Sequence, residues 1–187
     1  FFPLVGLGIG IVALLVTALA GFILPPALTA LVGLVVLAAI SGCLHLDGLA
    51  DRADGMLNSR PRAEKLVIMR DSRIGAMGVI AIVFVLLGKY AALSTAPPAR
   101  LAVLLLLMPL AGRCAIVLTM ALLPYARPEG GLGTLFYSPN TRQAAVLAAV
   151  LWLVLAVVVV LPAGLGSPAL LAALVVPAGT VLLFAGW

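Results

Sequence analysis

The chain has 187 residues, of which 65% are hydrophobic and 9% charged, with a mean hydropathy of +1.32 and a formal net charge of +5. An exterior of that composition is satisfied by lipid, which excludes a water-soluble fold of this length. The positive balance does not point to nucleic acid, because six of the eleven basic residues lie between Arg52 and Arg73, among the carboxylates.

Apolar runs of about 20 residues, enough to cross a bilayer core, recur near Phe2 to Leu24, Ala27 to Leu46, Ile74 to Leu93, Leu101 to Leu123, Ala144 to Leu161 and Ala169 to Trp187. All predict helices, since lipid offers no partner to unpaired backbone groups and the alternation of barrel strands is absent. The expected fold is an all-α polytopic membrane bundle of about six spanning helices, forming one catalytic domain over residues 1–187. The first run lacks both a basic leader and a small-residue cleavage site, so it does not read as a signal peptide. Starting without Met and stopping inside an apolar run, the chain reads as part of a longer protein. Gly6, Gly8 and Gly10 suit close helix packing. Cys43 and Cys114, far apart in apolar surroundings, read as packing residues and not as a pair or metal ligands.

Twenty residues separate Ala27 from Leu46, about 30 Å of helix, which consumes the hydrocarbon thickness and leaves the polar run that follows at the interface. That run reads His45-Leu-Asp47-Gly-Leu-Ala-Asp51-Arg-Ala-Asp54-Gly. From Asp47 to Asn58 it is compatible with a helix continuing out of the second span, stopped by Ser59-Arg60-Pro61. From Arg62 to Arg73 a short amphipathic helix is expected, with Leu66, Val67 and Met69 toward the bilayer and Lys65, Arg70 and Arg73 toward water or substrate. The segments Asp47 to Arg73 and Pro124 to Arg142 hold eight Lys or Arg between them, and the positive-inside rule places both in the cytoplasm.

Asp47, Asp51 and Asp54, spaced i, i+4 and i+7, fall at roughly 0°, 40° and −20° around a helix, with Asn58 at about 20°. Three anions on one stripe repel unless a cation lies between them, and hard oxygen donors suit Mg²⁺ or Mn²⁺ completed by water and phosphate. Gly48 and Gly55 flank the stripe, either as packing residues or to admit a phosphate. His45 lies about 160° away, so it either sits satisfied at the interface or orients an Asp and accepts a proton.

A second motif, Met69-Arg70-Asp71-Ser72-Arg73-Ile74-Gly75, opens the third span. Arg70 and Arg73 match phosphate oxygens, or anchor the helix start, while Asp71 between them either joins the metal site or steers the arginines. Arg113 stands in the middle of the fourth span, where a central Arg costs about 2.5 to 3.5 kcal/mol on insertion scales, so it calls for an aspartate or phosphate partner unless it snorkels. The glycine-rich loop Pro124 to Thr134 carries Arg127, a further candidate for holding an anion, although it lacks the surroundings of a nucleotide P-loop.

The run from Gly42 to Gly78 resembles the cobalamin synthase family, the adenosylcobinamide-GDP ribazoletransferases of bacterial vitamin B12 assembly. The likeness is carried by His45-Leu-Asp47-Gly-Leu-Ala-Asp51 with Ala53-Asp54-Gly55, then by Ile68-Met69-Arg70-Asp71-Ser72-Arg73-Ile74-Gly75. It extends more loosely to Phe2-Pro3-Leu-Val-Gly6, Gly112-Arg113, Tyr125-Ala126-Arg127 and Glu129-Gly130. Arg52, Cys43 and the glycine-free stretch Met56 to Ser59 depart from the family pattern, and its C-terminal Gly-rich acidic motif is not among these residues.

The resemblance implies a Mg²⁺-dependent enzyme of the cell inner membrane that joins adenosylcobinamide-GDP to α-ribazole or its 5′-phosphate and releases GMP. Asp47, Asp51 and Asp54 carry over as the acidic motif, and Arg70, Asp71 and Arg73 as the second. On that reading the carboxylates hold one or two metals and one takes the hydroxyl proton, while Arg70, Arg73, Arg113 and Arg127, with Asn58 and Lys65, contact the substrate. A second copy of the chain remains open as a partner. Two other classes compete. A CDP-alcohol phosphotransferase spaces its later aspartates differently, and a cation transporter wants carboxylates near the midplane on broken helices.

Overall fold

A computed structural model describes residues 1–125, 132–137 and 140–160. The expected span Ala169 to Trp187, Arg127 and most of the glycine-rich loop lie outside the described residues. Those described form helices without strands: α1 (Phe2–Ala20), α2 (Pro26–Ile40), α3 (Leu44–Met56), α4 (Arg62–Ile68), α5 (Ala76–Ser94), α6 (Pro98–Leu122), a 3₁₀ turn (Leu132–Phe136) and α7 (Thr141–Val160). Four of them, α1, α5, α6 and α7, are long and apolar enough to cross a membrane, and α2 with α3 makes a fifth candidate only as a bent pair. Large apolar side chains such as Leu15, Phe84, Leu87 and Leu147 are exposed along the spans, as a lipid-facing surface requires.

The chain gathers into two compact units, Leu15–Ala96 and Phe1–Leu14 with the chain from Pro97 onward. In the latter, the packed face of α6 runs Val103, Leu107, Leu110, Cys114 and Val117, alternating steps of four and three residues, and meets Ala145, Ala148, Trp152 and Ala156 of α7. The side chains of α6 thus share a core with three alanines of α7, small residues that let two helices approach closely. Gly6 and Gly10 do the same for α1: a Cβ at Gly6 would come within 2.8 Å of Pro109 O and Leu110 Cα, and one at Gly10 within 2.5 Å of Leu106 O. Gly8 has nothing near it, so of the three expected packing glycines only the i, i+4 pair forms the seam.

In the other unit the expected continuous helix from Ala27 through the acidic run is corrected. The α2 helix starts on Pro26 at its first position and ends after 15 residues, about 22 Å, short of the roughly 30 Å hydrocarbon core. The chain then turns through Gly42 (φ +56°) and Cys43 (φ +58°), and α3 departs at 85° to α2. Left-handed backbone cannot continue a right-handed helix, so the break is local and sharp. Cys43 is exposed at this break, whereas Cys114 is buried as expected of a packing residue. Both α2 and α3 pack against α5, and α4 packs against α3.

Candidate active site

The thirteen residues of α3 carry all three expected aspartates, so a regular helix keeps Asp47, Asp51 and Asp54 on one stripe. The stripe sinks along its length: Asp47 is exposed, Asp51 and Asp54 half-buried, with Ala50, Ala53 and Gly55 buried beside them. His45 is exposed in the first turn and stays on the far side of α3 from the stripe.

Both oxygens of Asp54 are engaged. Oδ2 accepts from the Gly75 amide at 2.7 Å and Oδ1 from the Gly78 amide at 2.9 Å. Gly75 is the N-cap of α5, so a carboxylate delivered by α3 satisfies amides that the first turn leaves without intrahelical partners. The anion also opposes the positive end of the helix dipole, typically about 0.3–1 kcal/mol. Beside it, a Cβ on Gly78 would lie 3.1 Å from both Ala50 Cβ and Ala50 O, so α5 meets α3 nearly backbone to backbone.

Asn58 does not extend the stripe. The helix ends at Met56, and the Asn58 side chain folds back to donate to Asp54 O (2.6 Å) and Gly55 O (2.8 Å) while accepting from Arg60 N (3.0 Å). Its amide therefore closes the C-terminus of α3, which the ideal-helix angle did not anticipate.

The second motif is also corrected in shape. α4 stops at Ile68, α5 begins at Ala76, and residues 69–75 form a turn, so Arg70 and Arg73 are not helical i, i+3 neighbours. Met69 does not face the bilayer. It packs on α3, where a Cβ at Gly55 would lie 2.6 Å from both its Cγ and its Cε. Lys65 is half-buried on α4, and its carbonyl lies 3.2 Å from the same point.

Within the turn, Arg73 is held by Asp71: Nη2 donates to Oδ2 at 2.6 Å, Nε to Oδ1 at 3.0 Å, and the Arg73 amide to Oδ1 at 3.0 Å. These bonds draw the Asp71 carboxyl down to about 2 and raise the Arg73 guanidinium. The fork leaves Nη1 and one Nη2 hydrogen for an anion. Of the two readings of Asp71, the contacts are those of a residue that steers an arginine.

Arg113 lies in the other unit, half-buried on α6, its side chain making no ion pair or hydrogen bond among the described residues. It sits nine residues, about 13 Å, before the end of that helix at Leu122.

No three His, Cys, Asp or Glu side chains among the described residues are grouped to hold a metal ion. The stripe explains this, since Asp47 and Asp54 are separated by about 10 Å along the axis. Magnesium, however, is commonly held by one or two carboxylates with water and substrate phosphate completing the shell. Asp47 and Asp51, one turn apart, fit such a pair in chemistry and spacing. A preformed cage of three carboxylates does not fit.

Sequence reasoning missed Gly75 and Gly78 as partners of Asp54. The signal is available: α5 opens on Gly-x-x-Gly, with no side chain at either capping position.

The family model of cobalamin-5-phosphate synthase matches residues 1–187. The adenosylcobinamide-GDP ribazoletransferase of Syntrophobacter fumaroxidans is 40% identical over 184 residues, covering 98% of this chain and 72% of that protein. The protein of the same name from Acetivibrio thermocellus is 35% identical over 186 residues, covering 100% and 74%. The one from Desulforamulus reducens is 40% identical over 158 residues, or 82% of this chain and 64% of its own. The chain thus spans roughly two thirds to three quarters of these relatives. No solved structure matches it. With the acidic helix and the arginine turn both inside the matched region, the chain belongs to the cobalamin-5-phosphate synthase family.

Proposed function

We propose that this protein is a membrane transferase that joins adenosylcobinamide-GDP to α-ribazole or its 5′-phosphate and releases GMP. The observation that carries this reading is the pair of bonds from Asp54 to Gly75 and Gly78, which ties the acidic helix to the arginine turn in a chain whose relatives bear that name.

The ribazole hydroxyl oxygen bonds to the phosphorus attached to cobinamide, the bond from that phosphorus to the bridging oxygen breaks, and the electron pair leaves on GMP. A carboxylate of the acidic run takes the hydroxyl proton. Arg73, aimed by Asp71, and Arg70 grip the diphosphate. Asp47 and Asp51 would hold Mg²⁺, which would supply positive charge to offset the negative charge of the departing phosphate. Asn58, committed to the end of α3, and His45, turned away from the stripe, take no step. The concentration of Lys and Arg beside the acidic run supports a site on the cytoplasmic face of the inner membrane.

The test is to incubate the purified full-length protein in detergent with adenosylcobinamide-GDP, α-ribazole and Mg²⁺. Cobalamin product and stoichiometric GMP are expected. Release of CMP from a CDP-lipid instead would move the chain to the CDP-alcohol class. One observation favours a second reading, since the helix break ahead of the acidic run is a feature of cation transporters. Divalent-metal flux into vesicles without nucleotide substrate is the outcome that reading requires.

A further inference from the structure

We infer that Asp54 is the positioning residue of this site: its carboxylate, docked in the first turn of α5, fixes the arginine turn against the acidic helix and does not ligate metal. The kinetic part rests on the transferase reading above, while the docking stands apart from it.

A helix ordinarily caps itself, with Ser, Thr, Asp or Asn at the N-cap and Glu or Gln three residues on. Here those two positions are Gly75 and Gly78, and one carboxylate from α3 makes both bonds. Glycine is the condition for this. A Cβ on Gly78 would lie 2.5 Å from Asp54 Oδ2, and one on Gly75 would collide with Oδ1.

The neighbouring residue completes a clamp. Gly55 receives Met69 and Asp54 receives Gly75, so the turn carrying Arg70, Asp71 and Arg73 is pinned at both ends by two consecutive residues of α3. With both oxygens turned to amides, Asp54 is a poor ligand beside Asp47 and Asp51. The acidic motif therefore divides its labour: the first two aspartates face the chemistry, and the third holds the turn in register.

The test uses the full-length protein in nanodiscs. In the wild type, the Gly75 and Gly78 amides exchange with deuterium at least about tenfold more slowly than the unpartnered amides of a first helical turn. Asp54→Asn abolishes that protection and lowers kcat about 100-fold, as expected for reacting groups displaced by about 1 Å. The KM for adenosylcobinamide-GDP rises about three- to tenfold, because the displaced turn carries Arg70 and Arg73, while the Mg²⁺ concentration for half-activation stays within about threefold. Gly78→Ala gives the same kinetic defect, and the double variant is no worse than either single one.

Rapid exchange at Gly75 and Gly78 in the wild type overturns the inference, and this measurement needs no variant to fold. So does an Asp54→Asn protein that keeps the protection while its Mg²⁺ requirement rises about tenfold or more, the signature of a lost ligand. Wild-type turnover in Gly78→Ala is the third result against it. If the wild type forms no cobalamin, the transferase reading fails and the exchange data still decide the docking.

Discussion

The unit from Leu15 to Ala96 and the unit built on α6 and α7 are held together by different forces. The α6–α7 seam has no hydrophobic drive to draw on, because lipid tails are as apolar as leucine; it rests on many small dispersion contacts among residues such as Leu110, Cys114 and Ala148. Around α3, a few directional bonds do the holding: Asp54 to two glycine amides, Asn58 to two carbonyls, Asp71 to Arg73. Hydrogen bonds to charged groups are worth about 1.5–3 kcal/mol apiece, and they fix orientation as well as distance. A seam can relax around a changed volume. A directional clamp loses its register when one charge is removed.

The largest expected effect follows from removing an acid of the stripe other than Asp54. On the transferase reading, Asp51→Asn leaves a folded protein whose rate of GMP release falls about 10²–10³-fold, the scale seen when a preorganised electrostatic group is lost. Near-normal turnover in a detergent assay would refute the role given to Asp51.

In the seam unit the expectation reverses, with stability changing and the intrinsic rate of the folded fraction preserved. Gly10→Val drives side-chain atoms into the Leu106 carbonyl, which a Cβ alone would approach to 2.5 Å, and costs about 1–3 kcal/mol of overpacking. Leu110→Ala empties a fully buried position and costs about 2 kcal/mol, the low end for such deletions because lipid removes the transfer contribution. Leu110→Met, which conserves volume, costs less than about 1.5 kcal/mol. Reversible unfolding in mixed micelles measures all three, and Leu110→Ala proving harmless would remove Leu110 from the seam.

Which of these contrasts was legible in advance depends on what physics left in the sequence. The spans were, since long apolar runs have one solution in lipid, and α5, α6 and α7 begin within three residues of where hydropathy puts them. The acidic stripe was too, because its spacing is a property of any helix. The break at Gly42 and Cys43 was not, as the chain is apolar on both sides of it and hydropathy does not register direction; Ser41-Gly42, a turn dipeptide, was the available signal. Nor was the job of Asp54. Periodicity says which face a residue occupies but not that a helix starting 21 residues later lacks a cap of its own. Met69 was misplaced for a related reason: an amphipathic pattern assumes a helix, and the helix ended one residue before it.

A smaller effect tests whether the polar contacts around α3 are equal in weight. Asn58→Ala frees two carbonyls at the end of α3 and costs about 1 kcal/mol in the same unfolding experiment, with the rate changing by less than about threefold because both bonds go to backbone carbonyls and neither touches a carboxylate of the stripe. A loss of activity as deep as that of Asp51→Asn would return Asn58 to the substrate.

The smallest expected change in stability belongs to one of the two shortest of these contacts. Asp71 and Arg73 meet at 2.6 Å, yet the Arg73 side chain is 87% exposed, so water and salt screen the pair and its removal leaves unfolding unaltered. Its weight lies in where it points the guanidinium. The sign of its pH dependence follows from the depressed carboxyl: folding favours the ionised form, so the contact is complete above the ordinary carboxyl value of 3.8 and is lost only as pH falls toward about 2. Any fall in activity between pH 6 and 4 must therefore come from another group, and Asp71→Asn keeps the shape of the profile across that range. What that variant loses is aim: with Arg73 free to rotate, the KM for adenosylcobinamide-GDP rises about three- to tenfold while kcat changes less, the pattern of weakened ground-state binding. A fall in kcat alone, at unchanged KM, would instead place Asp71 on the reacting atoms.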